Sequence, residues 1–172
     1  TRLIVESYDR LGAAAQAADA AVRNRADHPA RWRAVARAIR EWALTNPAEY
    51  ALLFGTPVPG YAAPQDTIGP ASKYTAVLLE LLAEMHAAGN RPKGTVPARM
   101  RADIGRLRGM VGLEIGDVLL ARGMVAWANL MGAISLELFG HLHNVVDTPG
   151  ALYDVVVEDH AARLFEGTAA PR

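Results

Sequence analysis

Between residues 115 and 143 the chain spells one helix with two apolar faces. At about 100° per residue, Leu120, Met124, Trp127, Leu130, Met131, Ile134, Leu138 and Leu142 fall on one side. Val118, Val125, Gly132, Leu136 and Phe139 fall on the other, and Arg122, Asn129 and Glu137 form a thin polar strip between them. A helix that is apolar on two sides must be covered twice. One face can serve the chain's own core. The second needs either more of the same chain or another subunit.

The remaining segments read as helices that could supply the first cover. Ile4, Tyr8, Leu11, Ala15, Ala18 and Val22 mark one narrow stripe over 2–24. Trp32, Val35, Ala36, Ile39, Trp42 and Ala43 mark a second over 29–46, and Pro47 opens a short third helix to residue 54. Tyr74, Val77, Leu78, Leu81, Leu82 and Met85 give the cleanest amphipathic pattern, after Gly69-Pro70 and up to about residue 88. A shorter helix is expected over 97–108 and a last one over 149–166, where Leu152, Tyr153, Val156, Val157, His160, Ala161 and Leu164 form a broad stripe. Alanine, at 33 residues, reinforces helix over strand. The expected fold class is all-α, as one domain over 1–172. Residues 55–66, with several Gly and Pro, are the longest irregular stretch and read as a gate over a cavity or as plain connection.

Composition excludes several functions. There is no Cys, hence no disulfide, thiolate metal site or Cys nucleophile. Eighteen basic residues balance eighteen acidic ones, which argues against this segment being a main nucleic-acid-binding surface. No uninterrupted run approaches eighteen apolar residues, so no membrane span or membrane partner is expected. The N-terminus has no signal-peptide pattern and no initiator Met, so the chain is expected to be a piece of something longer. Arg outnumbers Lys 16 to 2, which reads as the bias of a GC-rich genome. Arg31, Arg33, Arg37 and Arg40 lie off the apolar stripe of their helix. They read as a solvated face, with an anionic-ligand patch as the alternative.

Chemistry is sparse. A di-metal bundle site needs paired Glu-x-x-His motifs on facing helices, and none occurs among His28, His86, His141, His143 and His160. No metal or cofactor is expected, and His160 reads as a core or interface histidine. The Gly-rich run 105–112 follows no strand and fails as a phosphate loop. Ser7, Ser72 and Ser135 lie in no nucleophile elbow. The expectation is therefore no enzyme. What remains is an apolar cavity lined by Trp42, Tyr50, Phe54, Tyr74, Leu78, Met85, Met110, Trp127 and Met131, where aromatic rings and thioethers would make an adaptable wall. A filled core satisfies the same pattern.

Two stretches carry a family resemblance. Arg37-Ala-Ile-Arg-Glu-Trp-Ala-Leu-Thr-Asn-Pro-Ala-Glu-Tyr-Ala-Leu-Leu-Phe-Gly55 is similar to the "W-A-x-x-x-P-x-x-Y-x-x-x-F" signature of TetR-type transcriptional repressors. Ala126-Trp127-Ala-Asn-Leu-Met-Gly132-Ala-Ile-Ser-Leu-Glu137-Leu-Phe-Gly140 resembles the Trp-His-Gly subclass of that family, with Met131 at the His position. The helix order resembles the family's C-terminal regulatory domain over essentially the whole chain. The resemblance implies a cytoplasmic, ligand-responsive repressor whose operator DNA is bound by an N-terminal helix-turn-helix domain, ahead of Thr1 and absent here. It also implies a homodimer in which the last two long helices form a four-helix bundle. That agrees with the second apolar face, and Val118, Val125, Leu136, Phe139, Val156, Val157, His160 and Leu164 are the expected interface. Met131 in place of His suggests a small, mostly apolar ligand. The alternative is a stand-alone α-helical enzyme or small-molecule-binding protein.

Overall fold

The computed structural model describes residues 2–55 and 68–166, and among these every regular element is a helix. They are α1 (Arg2–Ala21), α2 (His28–Thr45), α3 (Pro47–Phe54), α4 (Ile68–Ala87), α5 (Ala98–Val111), α6 (Asp117–Leu138) and α7 (Pro149–Leu164). The all-α architecture expected from periodicity is the one observed. Most of the Pro-rich stretch read as gate or connection lies outside the described residues.

Several boundaries differ from expectation, for local reasons. α1 stops at Ala21 instead of 24 because Arg25 folds back onto the Asp19 carboxylate and carbonyl. Asp27 then caps α2, its carboxylate accepting the Ala30 N–H at 2.9 Å. α5 runs a turn further than expected, through Gly105 and Gly109, and ends at Gly112, whose φ of +65° suits a left-handed cap. α6 is shorter: it ends at Leu138, and Gly140 at φ +78° leads into turns. His141, Leu142 and His143, read as helical, therefore leave the helix.

The expectation of no membrane span rested on uninterrupted runs. Averaged over a window, α6 reaches a mean hydropathy of 1.4 and is, by length and composition alone, long and apolar enough to cross a bilayer. Only 28% of that window is buried within the chain. Its polar strip is committed to protein partners. Arg122 pairs with Glu166 at 2.7 Å and donates to the Lys93 carbonyl at 2.6 Å, and Glu137 receives Arg40 at 2.6 and 2.8 Å.

α1 lies chiefly against α4 and α2. Midway along α1, the approach to the first turns of α4 is close. A Cβ on Gly12 would stand 2.7 Å from the Lys73 Cβ, nearer than side chains tolerate. Ala15 beside it is fully buried, and Lys73 pairs with Asp9 at 2.6 Å.

In the last turn of α1 a buried ion network does the holding. Arg31, 2% exposed, extends Nε to Asp19 of α1 at 2.7 Å and grips Glu84 of α4 with both terminal nitrogens, Nη2 at 3.0 Å. Arg31, and half-buried Arg40, depart from the expected solvated face, whereas Arg33 and exposed Arg37 keep to it. Arg33 meets Glu158 in a two-pronged pair at 2.7 Å, Arg37 meets Asp154 at 3.0 Å, and Arg40 takes Glu137. All four cations are paired with carboxylates of neighbouring helices, which argues against an external anion as their main partner. Two ring-borne donors reinforce the α2–α7 seam: Trp32 Nε1 donates to the Val157 carbonyl at 2.9 Å and the Tyr153 hydroxyl to that of Ala36 at 2.7 Å.

The Arg31 network generates a pH prediction. Hydrogen bonds from Arg31 hold the Glu84 carboxyl below its ordinary value. Burial pushes Asp19 upward, but the bonds from Arg31 and Arg25 outweigh it and leave Asp19 lowered too. Groups depressed on folding add stability that is full above the ordinary carboxylate range, about pH 4, and is lost as pH falls through their folded values. Arg31→Met is expected to cost about 3 kcal/mol at pH 7, at the lower end for breaking a buried pair because Glu84 can turn to solvent. That deficit should shrink as both proteins are acidified below pH 4. Urea melts at neutral and acid pH check it, and an equal deficit at both would contradict the assignment.

Candidate functional site

The first half of the site comes from one flank of α4. Thr75, Leu78, Leu79 and Leu82 recur at i, i+3, i+4 and i+7, so they line up on a single side. Leu120, Gly123, Met124 and Trp127 repeat the same spacing on α6. The two stripes face each other, and Leu107 of α5 closes the third side. The result is an open cavity of about 270 Å³. Gly123 lets α6 come this near, because a methyl group there would collide with Leu82 Cδ1.

The lining is nearly all hydrocarbon. Thr75 is its only hydroxyl, and that proton is donated to the Ser72 carbonyl at 2.9 Å. Among the described residues, no charged side chain lines the wall. Trp127 stands at the rim, 39% exposed, and its indole N–H donates to the Tyr74 hydroxyl at 3.1 Å. Burial pushes the Tyr74 phenol up to about 12, against a smaller opposing effect of the Trp127 bond, so it stays protonated at neutral pH.

Tyr74 also belongs to an aromatic cluster. Its ring stacks on Tyr8 of α1, 6.5 Å between centroids with 7° between planes. Phe54 of α3 meets Tyr8 and Tyr74 edge-on at 6.0 and 5.9 Å and lies 4.9 Å from Tyr50. The Tyr50 hydroxyl bonds to the Met131 carbonyl at 3.1 Å and shares a bond with Ser135 at 2.8 Å.

Of the nine residues expected around a cavity, Leu78 and Trp127 line it, and Tyr74 touches it through Trp127. Tyr50 and Phe54 stand in the aromatic cluster. Met85 and Trp42 are buried in the core, the Trp42 carbonyl accepting from Asn46, and Met131 contributes a backbone acceptor. Met110 is corrected outright: it is 82% exposed, at the end of α5, because the extra turn of that helix carries it away from the core. Of the seven further lining residues, six had a legible signal in the matching i, i+3, i+4, i+7 stripes of α4 and α6, and Leu107 of α5 had none there.

A second feature lies on the outer side of α6 and α7. Val125, Leu136 and Phe139 are exposed there, with Leu152 and Val155 on α7, Val155 at 64%. Nothing stands within 4 Å of where a Gly132 side chain would be. Val118 and Val156 are half-buried. Val157, His160 and Leu164, expected on the same face, are buried within their own chain. The correction has a simple cause. The α7 stripe was read as one surface, but its flank at Tyr153, Val157, His160 and Leu164 packs inward, leaving Leu152 and Val155 outside. Burial accordingly lowers the His160 pKa.

Comparison with known proteins gives this arrangement relatives. The family model described as "Tetracyclin repressor-like, C-terminal domain" matches residues 32–160. HTH-type transcriptional regulator Rv1816 of Mycobacterium tuberculosis and HTH-type transcriptional regulator Mb1846 of Mycobacterium bovis are each 37% identical over 175 residues, covering 96% of this chain and 72% of their own length. Among solved structures, regulatory protein SCO4313 superposes with a TM-score of 0.73 at 29% identity, covering 93% of this chain and 70% of that one. The chain belongs to the TetR family of transcriptional regulators, through its tetracyclin repressor-like C-terminal domain.

Proposed function

We propose that residues 1–172 are the ligand-sensing and dimerising part of a TetR-type repressor, with operator DNA bound by a helix-turn-helix domain ahead of Thr1. The observation that carries the sensing role is the apolar cavity of about 270 Å³ between α4, α5 and α6. A packed core fills such space with side chains. An open, uncharged hollow on a regulator is a natural place for a small, mostly apolar effector.

The coupling follows from α4. One flank lines the cavity, and the other is joined to α1 at Gly12, Tyr8 and, through Arg31, Asp19. α1 begins at Arg2 and would lead back toward the DNA-binding domain. An effector wedged against Leu78 and Leu82 displaces α4, and α1 follows it. Repression is relieved only as far as the effector binds the DNA-incompetent arrangement better than the competent one.

Dimerisation is proposed through the outer stripe of Val125, Leu136 and Phe139 with Leu152 and Val155. A two-fold axis beside it would place the same patch on both subunits and cover the second face of α6. Phe139→Glu is expected to give a monomer or an insoluble chain, and light scattering at micromolar concentration checks it. A stable, soluble wild-type monomer under the same conditions would contradict the interface.

Leu78→Trp tests the cavity. Because Leu78 faces open space, the larger ring is expected to enter it, abolish the response to effector and leave stability within about 1 kcal/mol of wild type. A loss of roughly 1–3 kcal/mol, typical of overpacking, would mean the space is not available. Thermal melts and an operator-release assay on the full-length regulator measure the two effects.

A further inference from the structure

The walls of the cavity restrict what can enter it, and Tyr74 adds a single polar demand. Building on the reading of this cavity as the sensor site, we propose that it takes a neutral, largely hydrocarbon molecule with one hydrogen-bond acceptor, and that Tyr74 beside Trp127 meets that acceptor.

Neutrality follows from the lining. A carboxylate or ammonium drawn into this space would lose its hydration and find no counter-charge, since no ionic side chain among the described residues lines the cavity. Thr75 cannot stand in as a donor, because its proton is held by the Ser72 carbonyl. Size follows from the volume. At about 270 Å³ the cavity falls just below the range of drug-sized sites. A short-chain or single-ring molecule fits within it.

The acceptor follows from an unbalanced hydrogen bond. Tyr74 is only 3% exposed, and its hydroxyl oxygen accepts the Trp127 N–H. Its own proton has no acceptor among the described residues. A buried O–H without an acceptor is unfavourable. The donor is also fixed in place, because the Tyr74 ring is held between Tyr8 and Phe54. Tyr74 is not itself a lining residue but stands behind Trp127, which is, so a carbonyl or ether oxygen would satisfy it by passing the Trp127 rim. Where that oxygen displaced the indole bond, the Trp127 N–H would become a second donor to the same atom.

Three eight-carbon probes test this on the full chain: methyl hexyl ketone, n-octane and octanoate, titrated by calorimetry and by intrinsic tryptophan fluorescence. The ketone is expected to bind saturably and at least about tenfold more tightly than octanoate. Tyr74→Phe keeps the ring and removes only the hydroxyl. It is expected to weaken the ketone about fivefold, the effect of one hydrogen bond, and to change octane less than twofold. Octanoate binding as well as the ketone, or an unchanged ketone-to-octane ratio in Tyr74→Phe, overturns the inference. If Leu78→Trp still blocks the probes in that case, the sensor cavity itself stands. No saturable binding by any probe, or binding indifferent to Leu78→Trp, overturns both.

Discussion

One buried guanidinium sets the frame of this fold. Arg31 sits where α1, α2 and α4 meet, and a lone cation there would be far too costly to desolvate. Asp19 from one helix and Glu84 from another must both be within reach. That requirement fixes the register of α1 against α4 at their far ends. The Gly12–Lys73 approach fixes it again midway along α1 and near the start of α4, where a side chain on residue 12 would force the helices apart. Held at two points along one side, α4 can leave its opposite flank incompletely packed.

The consequence is a helix with two different flanks. On one, Tyr74 stacks with Tyr8 of α1 and lies beside Phe54 of α3. On the other, leucines border open space shared with α6. The Tyr74–Trp127 hydrogen bond joins the two environments. Any group that presses on Trp127 therefore acts on a rigid ring stack that includes α1. In the proposed regulator this is the shortest physical connection between an effector and the helix leading toward DNA.

α6 carries the same two-sidedness. Its inner flank supplies the far wall of the cavity, and its outer flank leaves Val125, Leu136 and Phe139 in solvent. Within the polar strip between them, Asn129 is exposed and bonds within its own helix. Arg122 and Glu137 tie α6 to the α4–α5 connection, the end of α7 and α2. Effector and partner subunit would thus bear on opposite sides of one anchored helix.

Helix number, order and the two-faced character of α6 are determined by local sequence: periodic apolar residues, Pro at first turns and Gly after last ones act within a few residues. The family resemblance drew on the same local patterns. Which face of a helix meets which neighbour is not local. Met110 shares an apolar character with Met85, yet one extra turn of α5 puts it in water. Val157 and Val155 are chemically identical and two residues apart, and only the packing of α7 on α2 sends one inside and the other out. The α2 arginines look alike in sequence, but their carboxylate partners lie up to 125 positions away. Tertiary structure alone decided these pairings and the position of the cavity, because an empty volume belongs to the fit between helices and to no single one of them.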